Sequence, residues 1–369
     1  MRICLLYDRK HGGLPKVLLM VASALSRKGD RVLVCGPMIH HEEWKREAMD
    51  RGVEVFEMNS HRIFGHSGST KRAVIDFGPD IVVSAHRGCD VRTFHLCRNL
   101  RLPHAIVFQG NPISTIDVQY SGIPGLAVRN YLWKRAISHC SLAICCSKWV
   151  ASGLKTGFGV PERKIQVIYN GIPLEEFEVS EPKRLSEVVE RKRILAVGRL
   201  SREKNPHLLV DLIAELQAQG IELEGTWLGD GPLRDEVNRY ANRCCVGDLV
   251  RYQGNVVSPQ SFYHESDFFA HFRVDEAFGL VLAEAQAAGL PIIAFRAGAV
   301  PEVAEHGKVG LLSEEGDVSG MATHIKSLLA DPGLYLRMSE QGIRSARATF
   351  SAEEMGKQYR AAFGHVLSA

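Results

Sequence analysis

ICLLYDRKHGGLPKVLLMVASALSRKGDRVLVC, residues 3 to 35, contains a whole structural unit in one line. ICLLY (3 to 7) is too uniformly apolar for a half-exposed strand and reads as one buried on both faces. Pro15 to Lys28 carries helical periodicity, opens on a proline suited to a first turn and is followed by Gly29. RVLVC (31 to 35) is a second buried strand. Strand, helix, strand defines a parallel crossover. VEVF (53 to 56), DIVVS (80 to 84), HAIVF (104 to 108) and SLAIC (141 to 145), with an amphipathic stretch from Ser147 to Phe158, extend it into a doubly wound α/β domain.

The second half repeats the pattern in RILAV (193 to 197), LEGTWL (223 to 228), LVRYQ (249 to 253), DFFAHF (267 to 272) and PIIAF (291 to 295). A chain of 369 residues exceeds the usual single-domain size, which agrees with two Rossmann-like domains. Their expected limits are 1–172 and 191–350. Between them 173–190 is expected to be an exposed connection, because Gly171, Pro173, Pro182 and a charge run from Lys183 to Arg193 cluster there, with a helical turn over Leu185 to Val189. Two helical patterns follow Asp331-Pro332, and the last, about 352–369, is expected to pack back on the first domain.

With 45% hydrophobic and 24% charged residues the chain has the balance of a soluble globular protein. The apolar run before Asp8 is too short for a signal-peptide core and no run reaches the roughly 18 residues of a membrane span, so a cytoplasmic location is expected. Nine cysteines, among them the pairs Cys145-Cys146 and Cys244-Cys245, show no zinc-ligand spacing and fit reduced, buried thiols. The net charge of +3 conceals an asymmetry: residues 1–170 hold 24 Lys+Arg against 13 Asp+Glu, the remainder 21 against 29. The basic half suits an anionic partner, such as a phosphorylated acceptor or a membrane leaflet, or is a solvated basic surface. RNYLWKRAISH (129 to 139) mixes aromatic and basic residues and fits either a leaflet-facing segment or a helix with core-facing aromatics.

Open α/β sheets bind ligands beyond the carboxyl ends of their strands, so two such domains are expected to share a cleft there. In YDRKHGGLPKV (7 to 17), Gly12 and Gly13 allow backbone to approach a phosphate, although the stretch is not GxGxxG and a plain tight turn explains it too. In VGRLSREKN (197 to 205), Arg199 and Lys204 lie just past a strand, where two cations neutralise a diphosphate. LGDGPLRDEV (228 to 237) is a sharp strand-to-helix turn in which Asp230 reads as structural. In DEAFGLVLAEA (275 to 285), Glu276 precedes a helix over Gly279 to Ala288 and Glu284 lies on it, with the amides of Phe278, Gly279 and Leu280 at its amino end. Two separated carboxylates with amides between them suit a ligand with hydroxyls at both ends and phosphates in the middle.

DEAFGLVLAEA resembles the E-x7-E motif of the retaining family 4 glycosyltransferases of GT-B fold. VGRLSREKN, LGDGPLRDEV and AGAVPE (297 to 302) stand in that family's order, YNGI (169 to 172) is similar to its interdomain strand end, and HGGLPKV to its N-terminal glycine loop. The resemblance covers most of the chain and is more specific in the second half. It implies an α/β GT-B architecture and sugar transfer from a nucleotide-sugar co-substrate, a UDP-sugar ahead of a GDP-sugar, with no other cofactor and no required metal. It implies that Glu284 holds the ribose, Glu276 the donor sugar, and Arg199 and Lys204 the diphosphate, with Gly13 closing the phosphate site.

Where many members carry a histidine, this chain has Gln109, which can donate a hydrogen bond but cannot become cationic near neutral pH. His86 and Arg87, in VSAHRGCD, are candidate acceptor-side residues, Arg87 for a phosphate. The expected acceptor is a glycan, glycolipid or small molecule, and no nucleic-acid partner is expected. A sugar-nucleotide epimerase, phosphorylase-like chemistry and a non-catalytic nucleotide-sugar-binding protein are the alternatives on this fold, the last suggested by Gln109.

Overall fold

The computed structural model describes residues 1–9, 13–37, 42–58, 65–110, 126–185 and 192–369. They divide into two compact units, Met1–Gly171 with Ser351–Ala369, and Ile172–Phe350.

The first unit is built on seven strands, β1 (Arg2–Tyr7), β2 (Arg31–Gly36), β3 (Glu54–Glu57), β4 (Ile81–Ala85), β5 (His104–Phe108), β6 (Leu142–Cys145) and β7 (Ile165–Val167). They pair in parallel in the order β3-β2-β1-β4-β5-β6-β7. Uniformly apolar strands are what a parallel sheet covered on both faces requires, and β1, β4 and β5 have almost no exposed residue. Ser147 caps the helix Lys148–Phe158 by accepting from the Val150 amide, and Gly159 ends it in the left-handed region at φ 63°. The terminal helix Ala352–Ser368 belongs to this unit and packs along Gly13–Ser26. The two helices approach so closely at Gly356 that a Cβ there would stand 2.4 Å from that of Ala24. Asp30 ties this arrangement, taking Arg360 Nε on one oxygen and the terminal amine on the other, both at 2.8 Å.

The second unit carries β8 (Lys192–Val197), β9 (Leu223–Leu228), β10 (Val250–Gly254), β11 (Phe268–His271), β12 (Ile292–Phe295) and β13 (Gly310–Ser313), all parallel, in the order β10-β9-β8-β11-β12-β13. Its core stacks Trp227 on Phe272 and sets Tyr335 edge-on to Phe268.

Two edge strands, β7 and β13, are absent from the sequence expectation because neither offers a long apolar run: IQV is half-buried and GLLS is four residues. The stretch expected as an exposed connection is largely folded into the second unit. Leu174–Phe177 is a short helix, Phe177 is 1% exposed, and Lys183 Nζ donates to three backbone carbonyls. Charge density misled here, since Lys183 spends its charge on the end of a helix rather than on water. The expected turn over Leu185 to Val189 lies mostly outside the described residues. Seven of the nine cysteines are buried; Cys244 is half-buried and Cys245 exposed.

Candidate functional site

In each sheet the strand order reverses once, between β1 and β4 and between β8 and β11. The crevice beyond the carboxyl ends of two such strands is where an open α/β sheet accepts a ligand.

In the second unit that place is occupied by charge. After β8 the chain runs through Gly198 and Arg199 into a short 3-10 turn, Arg202–Lys204, which Asn205 closes in the left-handed region at φ 50°. The Asn205 side chain donates to the carbonyl of Phe272 at 3.0 Å, pinning this loop to the end of β11. Lys204 Nζ then donates to Oε2 of Glu276 at 2.9 Å. The same oxygen lies 3.3 Å from His271 Nε2 and 3.9 Å from Arg273 Nη1, while Arg273 Nε donates to Asp275 at 2.6 Å. Burial alone would raise the Glu276 carboxyl, but the His271 imidazole and the charges of Lys204 and Arg273 reverse this and hold it well below the usual carboxylate range. Burial likewise depresses His271, against the pull of Glu276. These contacts favour the ionised form of Glu276, in which the carboxylate accepts hydrogen bonds.

The loops around it are knitted through glycines. A Cβ on Gly229 would stand 2.2 Å from the Gly198 carbonyl oxygen and one on Gly231 2.4 Å from that of Leu200, and Trp227 Nε1 donates to Gly198 at 2.7 Å. Asp230 caps its own turn by accepting from the Gly231 amide. Gly298, at φ 57°, would bring a Cβ to 2.6 Å from the Glu276 carbonyl oxygen, which accepts from the Ala299 amide. Gly298→Ala is therefore expected to displace Glu276, costing about 1–3 kcal/mol of stability from strain and crowding, which chemical denaturation checks.

Glu284 lies on the helix Leu280–Ala287, whose amino end is Gly279 at φ 83°. It is buried and accepts from Tyr263 Oη at 2.7 Å. The Phe278 ring turns inward against Phe350. Arg199 is exposed.

In the first unit, Asp8 just beyond β1 and His86 just beyond β4 are neighbours across the strand reversal. His86 Nδ1 and Asp8 Oδ1 are 2.5 Å apart, and Arg92 Nη2 donates to the other oxygen at 2.5 Å. Burial would raise Asp8, yet the His86 and Arg92 contacts keep it below its ordinary value. His86 adopts φ 82°, a costly backbone state for a residue with a side chain, and its imidazole is 40% exposed. Beneath it Asp90 accepts from Ser84 Oγ at 2.7 Å and Trp133 Nε1 at 3.0 Å, and burial pushes its carboxyl up to about 7 against those hydrogen bonds. An acid raised on folding contributes stability that is complete below its unfolded value of about 3.9 and is lost as pH rises through its folded one. The stability of wild type relative to Asp90→Asn should therefore fall by about 2–3 kcal/mol between about pH 5 and pH 8, read by urea denaturation at each.

Lys204, Glu276 and Glu284 thus stand in the second unit and His86 in the first. Arg87 is 8% exposed and its guanidinium lies over the Trp133 ring at 5.1 Å. Gln109 exchanges two hydrogen bonds with Asn170, at 2.8 and 2.7 Å, so its amide is held by the unit's own core. Gly13 opens the first helix, while Gly12 lies outside the described residues. In the helix Leu126–His139, Trp133 is core-facing, leaving Arg129, Tyr131, Lys134 and Arg135 exposed. Sequence reasoning missed Arg273, which the rule that flagged Arg199 would have found, together with His271, Tyr263 and Asp8. Among the described residues no helix is long and apolar enough to cross a membrane.

Residues 11–176 match the family described as Glycosyltransferase Family 4 and residues 179–345 that described as Glycosyl transferases group 1. The chain is 29% identical over 211 residues to N-acetyl-alpha-D-glucosaminyl L-malate synthase of Bacillus anthracis, 56% of this chain and 55% of that protein. It is 26% identical over 210 residues to a GDP-mannose-dependent alpha-(1-6)-phosphatidylinositol monomannoside mannosyltransferase of Mycobacterium tuberculosis, 53% of this chain and 54% of that one. The chain thus spans about half the length of these curated relatives. Its fold is similar to that of Anabaena Alr3699/HepE in complex with UDP, with a TM-score of 0.82 at 20% identity, covering 99% of this chain and 100% of the other. The chain belongs to the family 4 glycosyltransferases, and its two Rossmann-like units are those of the GT-B fold.

Proposed function

We propose that the chain moves a hexosyl unit from a nucleoside-diphosphate sugar to a hydroxyl of a glycan, glycolipid or small-molecule acceptor, with retention of anomeric configuration. The observation that carries this reading is the cluster of half-buried Lys204 with buried Glu276 and His271 at the β8/β11 reversal, with Glu284 on the adjoining helix. Glu284 takes the ribose hydroxyls. Glu276, whose carboxylate accepts hydrogen bonds, takes hydroxyls of the donor sugar. Arg199 and Lys204 take the diphosphate, aided by the amides of Phe278, Gly279 and Leu280. As the glycosidic bond breaks, the anomeric carbon gains positive charge and the nucleoside diphosphate negative charge, and fixed cations stabilise the departing group. The acceptor hydroxyl attacks from the face the leaving group vacates, and the departing phosphate helps to take its proton.

On the first unit Gly12 and Gly13 meet donor phosphate, Gln109 donates to donor sugar while Asn170 holds it, and His86 meets the acceptor. A UDP-sugar is favoured because the structurally similar Anabaena protein was crystallised with UDP, and the GDP-mannose-dependent relative makes GDP-sugars the necessary comparison. For a glycolipid acceptor, Arg129, Tyr131, Lys134 and Arg135 would carry peripheral contact with an anionic leaflet; such binding is released by salt, and salt-insensitive vesicle binding would count against it.

The test is turnover of UDP- and GDP-sugars with an acceptor panel, read as nucleoside diphosphate release and by proton NMR of the product. Retained configuration supports the proposal, and an inverted product contradicts it. Donor bound with neither transfer nor slow hydrolysis would mark a non-catalytic binding protein instead.

A further inference from the structure

Behind Glu284 lies a fully buried phenol. Tyr263, on the helix Gln260–Glu265, donates its hydroxyl to Glu284 Oε2 at 2.7 Å. Burial first, and the Glu284 charge second, lift the phenol far above its ordinary value, so it stays a donor at every pH the protein meets. Its ring is fixed on two sides, stacked on Phe269 at 5.8 Å and met edge-on by Phe177 at 5.2 Å. The backbone of its helix is fixed as well. Lys183 Nζ donates to the carbonyls of Tyr263, His264 and Ser266 at 3.0, 2.6 and 2.6 Å, while the Lys183 amide donates to the buried Ser339 hydroxyl at 2.8 Å. His264 Nε2 is 3.0 Å from the Phe177 carbonyl oxygen, closing the ring of contacts.

A glutamate head turns about three side-chain torsions, whereas two vicinal hydroxyls accept only one carboxylate plane. We propose that Tyr263 is a positioning residue: its hydroxyl sets the Glu284 carboxylate to receive the cis-diol of a ribonucleoside diphosphate, and the segment Leu174–Lys183 holds Tyr263 in place. This rests on Glu284 being the ribose-binding carboxylate, and it goes further by assigning the selectivity for ribose over deoxyribose to a residue that never touches the ligand. A Tyr263 that merely satisfied a buried carboxylate would affect stability and leave that selectivity alone.

The experiment is calorimetric binding of UDP and GDP, each beside its 2′-deoxy form, with inorganic pyrophosphate as a reference that lacks the diol. Wild type should prefer the ribo form of the bound nucleotide by about 10–100-fold, the worth of a hydrogen bond to a charged group. In Tyr263→Phe this ratio should shrink to about 2–3-fold with pyrophosphate affinity unchanged, and Lys183→Met should shrink it in the same direction. A ratio equal to wild type in folded Tyr263→Phe overturns the inference. Should Tyr263→Phe not fold, a wild-type ratio in Lys183→Met overturns it equally. Selectivity that Glu284→Ala abolishes but both other variants retain would leave the donor-site reading standing and this inference refuted; a wild type that binds no nucleotide, or does not distinguish ribose, removes both.

Discussion

Lys204→Ala is expected to lower sugar transfer by about 10²–10³-fold, the usual cost of removing one group aimed at the charge that develops in a transition state. Lys204 reaches the site because Asn205 turns the backbone and fastens it to Phe272, so its ammonium is placed before any donor arrives. Its ammonium meets the Glu276 carboxylate at 2.9 Å. A bound diphosphate competes for it, and the demand is greatest when the leaving group carries its full charge. The loss should therefore fall mainly on kcat. Lys204→Arg keeps the charge but spreads it over a planar fork, and should recover only part of the rate. Steady-state kinetics on the three proteins reads the effect, and a variant with wild-type kcat would remove Lys204 from the chemistry.

Glu276→Gln should be as severe, about 10²–10³-fold in transfer, for a different reason. The amide keeps the shape of the side chain but replaces one acceptor oxygen by a donor. The substituted head would then face Lys204, Arg273 and His271, all donors or cations, and could no longer offer the donor sugar two acceptor positions. Nucleoside diphosphate affinity should not fall, since that part of the ligand is assigned to Glu284 and the cations, and loss of the Glu276 charge frees Lys204 for the phosphates. Parallel measurement of UDP binding and of transfer separates the two, and full transfer activity in Glu276→Gln would contradict the assignment of donor-sugar recognition.

The positions of Lys204 and Glu276 just past β8 and β11, and of Glu284 on the helix that follows, were legible in the sequence because the apolar runs of those strands are unmistakable. What the residues met there was not legible. The pairing of Asp8 with His86 depends on β1 lying beside β4, 78 residues on, and that of Gln109 with Asn170 spans 61. Tyr263 sits in an unremarked short helix and becomes informative only through its hydroxyl contact with Glu284. The burial of Arg87 over Trp133 was not legible either, since Trp133 lies 46 residues further along the chain. The fold itself was legible wherever strands are long and central, and lost at β7 and β13, where three or four half-covered or short residues suffice at a sheet edge.

Ribose binding by Glu284 is measured by calorimetry of wild type and Glu284→Ala against UDP, GDP and ADP. One of these nucleotides should bind the wild type, and its affinity should fall by at least about tenfold in the folded variant, as the loss of hydrogen bonds to a charged group requires. Binding that is absent throughout, or that is undiminished in Glu284→Ala, would contradict that assignment.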